Sequence, residues 1–152
     1  MPRENLLAIS TTVEEDLGCL LFKGELVAES RFDTERILRQ WYDGGLKCVI
    51  VNCSGLHYID SAGFSTLLAA LHRFRRVGGD LILAELNPSL NAIFELTAME
   101  KYFKVFATQD EAHEHFEQLA AQRRKQSRRS AGAKKSPKPA KKQVKGVGRN
   151  RA

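Results

Sequence analysis

The sequence predicts an α/β fold, a small mixed β-sheet with parallel crossovers and helices packed against it. Three observations carry that reading. Short apolar and β-branched runs alternate with segments of helical periodicity between residues 17 and 119, the pattern of strand–helix–strand units. The 152 residues are 43% hydrophobic, enough for one core. No apolar run approaches the ~20 residues that a membrane-spanning helix requires.

The elements follow in order. Residues 6–12 read as an edge strand, and Glu14-Glu15-Asp16 as a polar turn. Residues 17–23 are short and densely apolar, a buried strand that Gly24 ends. Ser30-Arg-Phe-Asp33 has the spacing of a capping box, with Asp for the usual Glu. It opens a helix carrying Phe32, Ile37, Leu38 and Trp41, stopped by Asp43-Gly44-Gly45. Residues 47–53 are nearly all apolar, as expected of a central strand covered on both faces. That strand is expected to end near Cys53, with a loop leading to a helix that starts at about Ala62. Phe64, Leu67, Leu68, Leu71, Phe74 and Val77 mark the helix, and Gly78-Gly79 ends it. Residues 80–84 form another apolar strand. Asn87 as N-cap and Pro88 at the first helical position open a short helix through Thr97. Residues 105–107 read as a short strand, and Thr108-Gln-Asp-Glu111 as a second capping box. The helix it opens carries Ala112, His115, Phe116 and Leu119. The order is β-β-α-β-α-β-α-β-α, without internal repeats.

Charge divides the chain. Residues 122–152 carry 13 Lys and Arg and no Asp or Glu, whereas residues 1–121 carry 11 Lys and Arg against 18 Asp and Glu. The only large apolar residues of the basic stretch are Val144 and Val147. Such a segment buries too little surface to offset its ordering entropy. The expected organisation is a folded domain over residues 1–118 and a disordered basic tail over residues 119–152. A tail of this kind suits non-specific nucleic-acid contact, an anionic membrane face, the acidic body itself, or no partner at all.

Catalytic patterns are absent. Cys19, Cys48 and Cys53 lie in apolar runs without CxxC spacing and read as reduced core residues. His57, His72, His113 and His115 show no catalytic or metal-ligating spacing and read as surface or boundary residues. No P-loop and no G-x-S-x-G elbow occurs. The expectation is a non-enzyme without cofactor or metal. The first ten residues lack a signal-peptide core, so the expected location is cytoplasmic.

The informative stretch is Tyr58-Ile-Asp-Ser-Ala-Gly-Phe64. Asp60 and Ser61 both suit a helix N-cap, and Gly63 suits close packing. The same geometry suits phosphorylation of Ser61, because a helix N-terminus favours the resulting anion while the neighbouring Asp60 opposes it.

Val49-Ile-Val-Asn-Cys-Ser-Gly-Leu-His-Tyr-Ile-Asp-Ser-Ala-Gly-Phe-Ser-Thr-Leu-Leu68 resembles the signature of STAS domains, specifically the bacterial anti-sigma factor antagonists. Phe22-Lys-Gly-Glu-Leu26 resembles the family's "GEL" segment, and Arg76-Val-Gly-Gly-Asp-Leu-Ile-Leu83 its "GG" turn into the next strand. The segment from Phe94 to Thr108, followed by Glu111-Ala112, resembles its closing part. The resemblance covers residues 5–118.

It implies an αβ sandwich with the helices mainly on one face of the sheet. It implies an anti-sigma factor that is also a serine kinase as partner, and a phosphatase that resets the switch. It implies Ser61 as phosphoacceptor, with Asp60 as its acidic neighbour helping to bind or orient the partner. Gly24, with Ser65 and Thr66 on an exposed turn, is implied near the partner surface. Val27 stands where many members carry Asp, and Asn52 where Asp is frequent. The alternative is a scaffold or nucleic-acid-associated protein whose domain recruits partners without kinase control and whose tail binds DNA or RNA. There Ser61 is only a cap.

Overall fold

The computed structural model describes residues 6–133. The elements are β1 (Leu7–Glu14), β2 (Leu17–Leu26), α1 (Arg31–Asp43), β3 (Cys48–Ile59), α2 (Ser61–Arg76), β4 (Asp80–Ala84), α3 (Pro88–Thr97), a 3-10 turn (Met99–Lys101), β5 (Val105–Phe106) and α4 (Gln109–Ala133). The five strands lie in the order β1-β2-β3-β4-β5. β1 runs antiparallel to β2, and the remaining pairs are parallel. The sheet is therefore mixed, as the alternation of elements predicts.

Period-two alternation sorts the strands between two faces. Leu20, Phe22, Val49, Val51, Cys53, Leu81 and Leu83 join Leu38 of α1, Leu67, Leu71 and Phe74 of α2, and Leu90 and Phe94 of α3 in one core. The opposite face carries Ile50 and Ile82, both fully buried, and Asn52. Asn52 Nδ2 donates to Gln109 Oε1 at 2.7 Å, so the first turn of α4 meets this face. The chain divides into two units inside α4, between Glu114 and His115.

Three expectations need correction. β3 does not end near Cys53; it continues to Ile59. Its second half pairs with the end of β2, with Lys23 opposite Gly55, Gly24 opposite Leu56, Glu25 opposite Tyr58 and Leu26 opposite Ile59. The stretch looks loop-like because Ser54, His57 and Tyr58 face solvent, while Leu56 and Ile59 face the core. Ser30 does not cap α1 through its side chain. Its Oγ accepts from Val27 N at 2.9 Å and donates to Glu25 O at 2.6 Å, because its hydroxyl braces the preceding loop instead. Finally, residues 119–133 are helical, not disordered, since α4 runs to Ala133. Ala, Gln, Arg and Lys, which dominate there, are strong helix formers. Residues 134–152 of the expected tail lie outside the described residues.

Candidate functional site

Ser61 is the first residue of α2, and its side chain is exposed. Asp60, the N-cap, has the extended backbone that such a position requires (φ −103°, ψ −174°). Its Oδ1 accepts from Gly63 N at 2.8 Å and its Oδ2 from Ala28 N at 3.1 Å. Its backbone N donates to Leu26 O at 3.3 Å. The carboxylate thus ties the β2–α1 loop to the start of α2 and holds Ser61 at the helix N-terminus. Backbone N–H groups and the helix dipole there favour an added anion.

Two glycines make this junction possible. A Cβ on Gly63 would lie 2.3 Å from Leu26 O, so only glycine lets α2 approach β2 this closely. Gly24 has φ +118°, and a Cβ there would lie 2.0 Å from Leu6 O. Gly24 does not end β2, contrary to expectation: it sits within the strand, opposite Leu7 of β1 and Leu56 of β3, and pairing with β3 carries β2 on to Leu26.

Two grooves flank the start of α2. One, of about 570 Å³, is mainly apolar and is lined by Tyr58, Ser61, Ser65, Leu68, Leu96 and Met99, among others. Leu96 at its rim is 86% exposed. The other, of about 490 Å³, runs between α1 and α2 and holds Arg31, Arg39 and Arg73 with Glu35. Ser65 is exposed and lines both grooves.

The profile of the STAS domain family matches residues 8–112. The chain belongs to the STAS domain family. A protein of Bordetella bronchiseptica named "Putative anti-sigma factor antagonist BtrV" is 29% identical over 96 residues, spanning 63% of this chain and 81% of that one. The solved anti-sigma factor antagonist SpoIIAA in its unphosphorylated form is 20% identical, with TM-score 0.64 over 72% of this chain and 96% of that one. The Bacillus cell fate determinant SpoIIAA in the phosphorylated form gives 21%, TM-score 0.58, and 72% and 99% coverage. At this identity the SpoIIAA structures establish the likeness of fold.

Within this STAS domain, Asp60, Ser61 and Ser65 gather at one end of the sheet, and Gly24 lies at the same end of β2. Thr66 does not lie on an exposed turn. It is buried, and its Oγ1 donates to Ala62 O at 3.0 Å and to Glu35 Oε2 at 3.1 Å. Its position one residue past Ser65 rotates it toward α1. Val27 is buried as well, so an apolar residue suits that site. Asn52 Oδ1 accepts from Ser54 N at 2.9 Å; with the Gln109 bond, the amide serves as a local bridge.

The apolar groove and its rim residues Leu96 and Tyr58 escape sequence reasoning. Leu96 counts as one more apolar position of a short helix. Its signal is that it lies off the stripe of Leu90 and Phe94, both buried.

The cysteines are free. Burial pushes the Cys53 thiol up to about 12 and raises that of Cys19, whose Sγ lies 3.8 Å from His113 Nε2. His57 and His72 are exposed. Among the described residues, no group of three or more His, Cys, Asp and Glu is placed to hold a metal ion, and no helix is long and apolar enough to cross a membrane.

Proposed function

We propose that this STAS domain is a cytoplasmic anti-sigma factor antagonist that works by binding and not by turnover. Its partner is an anti-sigma factor with serine kinase activity. The unphosphorylated form binds, phosphate on Ser61 ends the complex, and a phosphatase restores it. The observation that carries this reading is the placement of an exposed Ser61 at the start of α2, on the rim of an apolar groove. The names of BtrV and SpoIIAA, and the existence of SpoIIAA in unphosphorylated and phosphorylated forms, support it.

The physical logic is electrostatic. Phosphate adds about −1.5 to −2 charge. A partner lying across the groove would cover that charge, which then costs several kcal/mol unless a cation meets it. A loss of ~4 kcal/mol weakens binding about a thousandfold. No change of fold is required.

Phosphopeptide mass spectrometry on the protein isolated from its own cells, with and without stress, tests the modification. Occupancy at Ser61 that changes with condition is expected. Binding of the purified kinase to Ser61→Asp and Ser61→Ala tests the switch. Ser61→Asp is expected to bind far more weakly and Ser61→Ala to bind without being released by ATP. Wild-type affinity in Ser61→Asp would overturn the reading.

A further inference from the structure

The second unit contains a feature that the Ser61 switch does not use. From residue 118 onward the chain has no acidic residue, and α4 carries Arg123, Arg124, Lys125, Arg128 and Arg129 before its end at Ala133. All side chains of residues 121–129 are exposed. Arg124 and Arg128, and Lys125 and Arg129, are like charges four residues apart, neighbours that repel on a helix surface. A polar, self-repelling helix end without an apolar face gains little from packing. It gains much from a polyanion that neutralises several of its charges together.

We infer that this end of α4 binds the phosphate backbone of duplex nucleic acid without reading its sequence. Three observations select that polyanion. A helix lying in a membrane interface needs bulky apolar residues on one side, and residues 120–133 contain none larger than alanine. Single-strand binding relies on aromatic rings that stack on bases, and no aromatic residue follows Phe116. Gln122, Gln126 and Ser127, interleaved with the basic residues, add neutral donors of the kind that meet phosphate oxygens. Eight further Lys and Arg follow in residues 134–152, so the basic stretch continues along the sequence. The inference stands independently of the reading of Ser61.

The test uses the full chain and a full-chain variant, R123Q/R124Q/K125Q/R128Q/R129Q, with circular dichroism to confirm unchanged helicity. Anisotropy of two labelled duplexes of unrelated sequence is followed between about 50 and 200 mM salt, a range over which phosphate contacts reveal themselves. Wild-type protein is expected to bind both duplexes alike, with affinity falling steeply as salt rises. If each of the five helix charges meets one phosphate, the variant's slope of log affinity against log salt is shallower by about 4 to 5. A variant with wild-type slope and affinity would overturn the assignment to α4. Strong preference for one duplex would overturn sequence-independent binding. Capture by phosphatidylserine vesicles with no duplex binding would overturn the choice of polyanion.

Discussion

Asp60 Oδ2 accepts a hydrogen bond from the backbone N–H of Ala28 at 3.1 Å, while Oδ1 of the same carboxylate caps α2 through Gly63 N at 2.8 Å. One side chain therefore couples the β2–α1 loop to the helix that presents Ser61. Its two carboxylate oxygens face two backbone donors, one on each element.

Asp60→Ala should destabilise the domain by about 1–3 kcal/mol, because it removes a cap and leaves the Ala28 N–H without its acceptor. Asp60→Asn keeps one acceptor oxygen and should lose roughly half as much. Urea unfolding of the two variants measures the difference. An Asp60→Ala protein as stable as wild type would remove the positioning role.

Gly63→Ala tests the close approach of α2 to β2. The added methyl meets the Leu26 carbonyl at 2.3 Å, and backbone cannot swing aside as a side chain can. A loss of about 1–3 kcal/mol is expected from such overpacking, read as a lowered melting temperature. An unchanged melting temperature would show that the junction tolerates displacement.

Leu96 is 86% exposed on the rim of the apolar groove. Leu96→Asp should leave folding stability within about 0.5 kcal/mol, as surface changes generally do. If the groove receives the partner, the same substitution should weaken complex formation at least tenfold. Calorimetric titration and urea unfolding on one preparation separate the two effects, and unchanged affinity would place the partner elsewhere.

Asp80 is buried at the start of β4 and accepts from Arg75 Nε at 3.0 Å and Lys104 Nζ at 3.2 Å. It also accepts from Leu81 N at 2.9 Å. It thus joins the end of α2 to the approach to β5. Asp80→Asn should cost about 1–3 kcal/mol, toward the lower end because both cations are half in water. Denaturant midpoints measure this, and a neutral result would mean that water replaces the clasp.

Cys53 responds to pH in a defined direction. Burial raises its thiol from an ordinary 9.0 to about 12, so the folded protein holds a proton that the unfolded chain releases earlier. Its contribution to stability is complete below pH 9 and is lost as pH rises toward about 12. At pH 8 the native thiol should react with a disulfide reagent only as fast as the protein opens. Cys53→Ala should flatten the alkaline fall in stability, and an unchanged fall would assign it to other groups.

The order of elements was legible in the sequence because each depends on neighbours close along the chain. Asn87 and Pro88 announce α3, and Asn87 Oδ1 accepts from Leu90 N at 3.0 Å, as the capping pattern requires. The block around Asp60 and Ser61 was legible for the same reason, as a cap before an apolar helix. The second half of β3 was not, because Ser54, Gly55, His57 and Tyr58 are strand residues only when the end of β2 lies beside them.

The alternation of strands and helices, a cap at Asp60 or Ser61 before α2, and the separation of an acidic body from a basic end are all legible in the sequence. These follow from periodicity, turn chemistry and composition. Tertiary structure alone decided that β3 reaches Ile59, that Thr66 turns inward to Glu35, and that Leu96 stands exposed on the groove that Ser61 also lines. The physical reason is that backbone pairing and helix packing are satisfied by residues distant in sequence. Which side of a helix remains uncovered is settled only when its neighbours are in place.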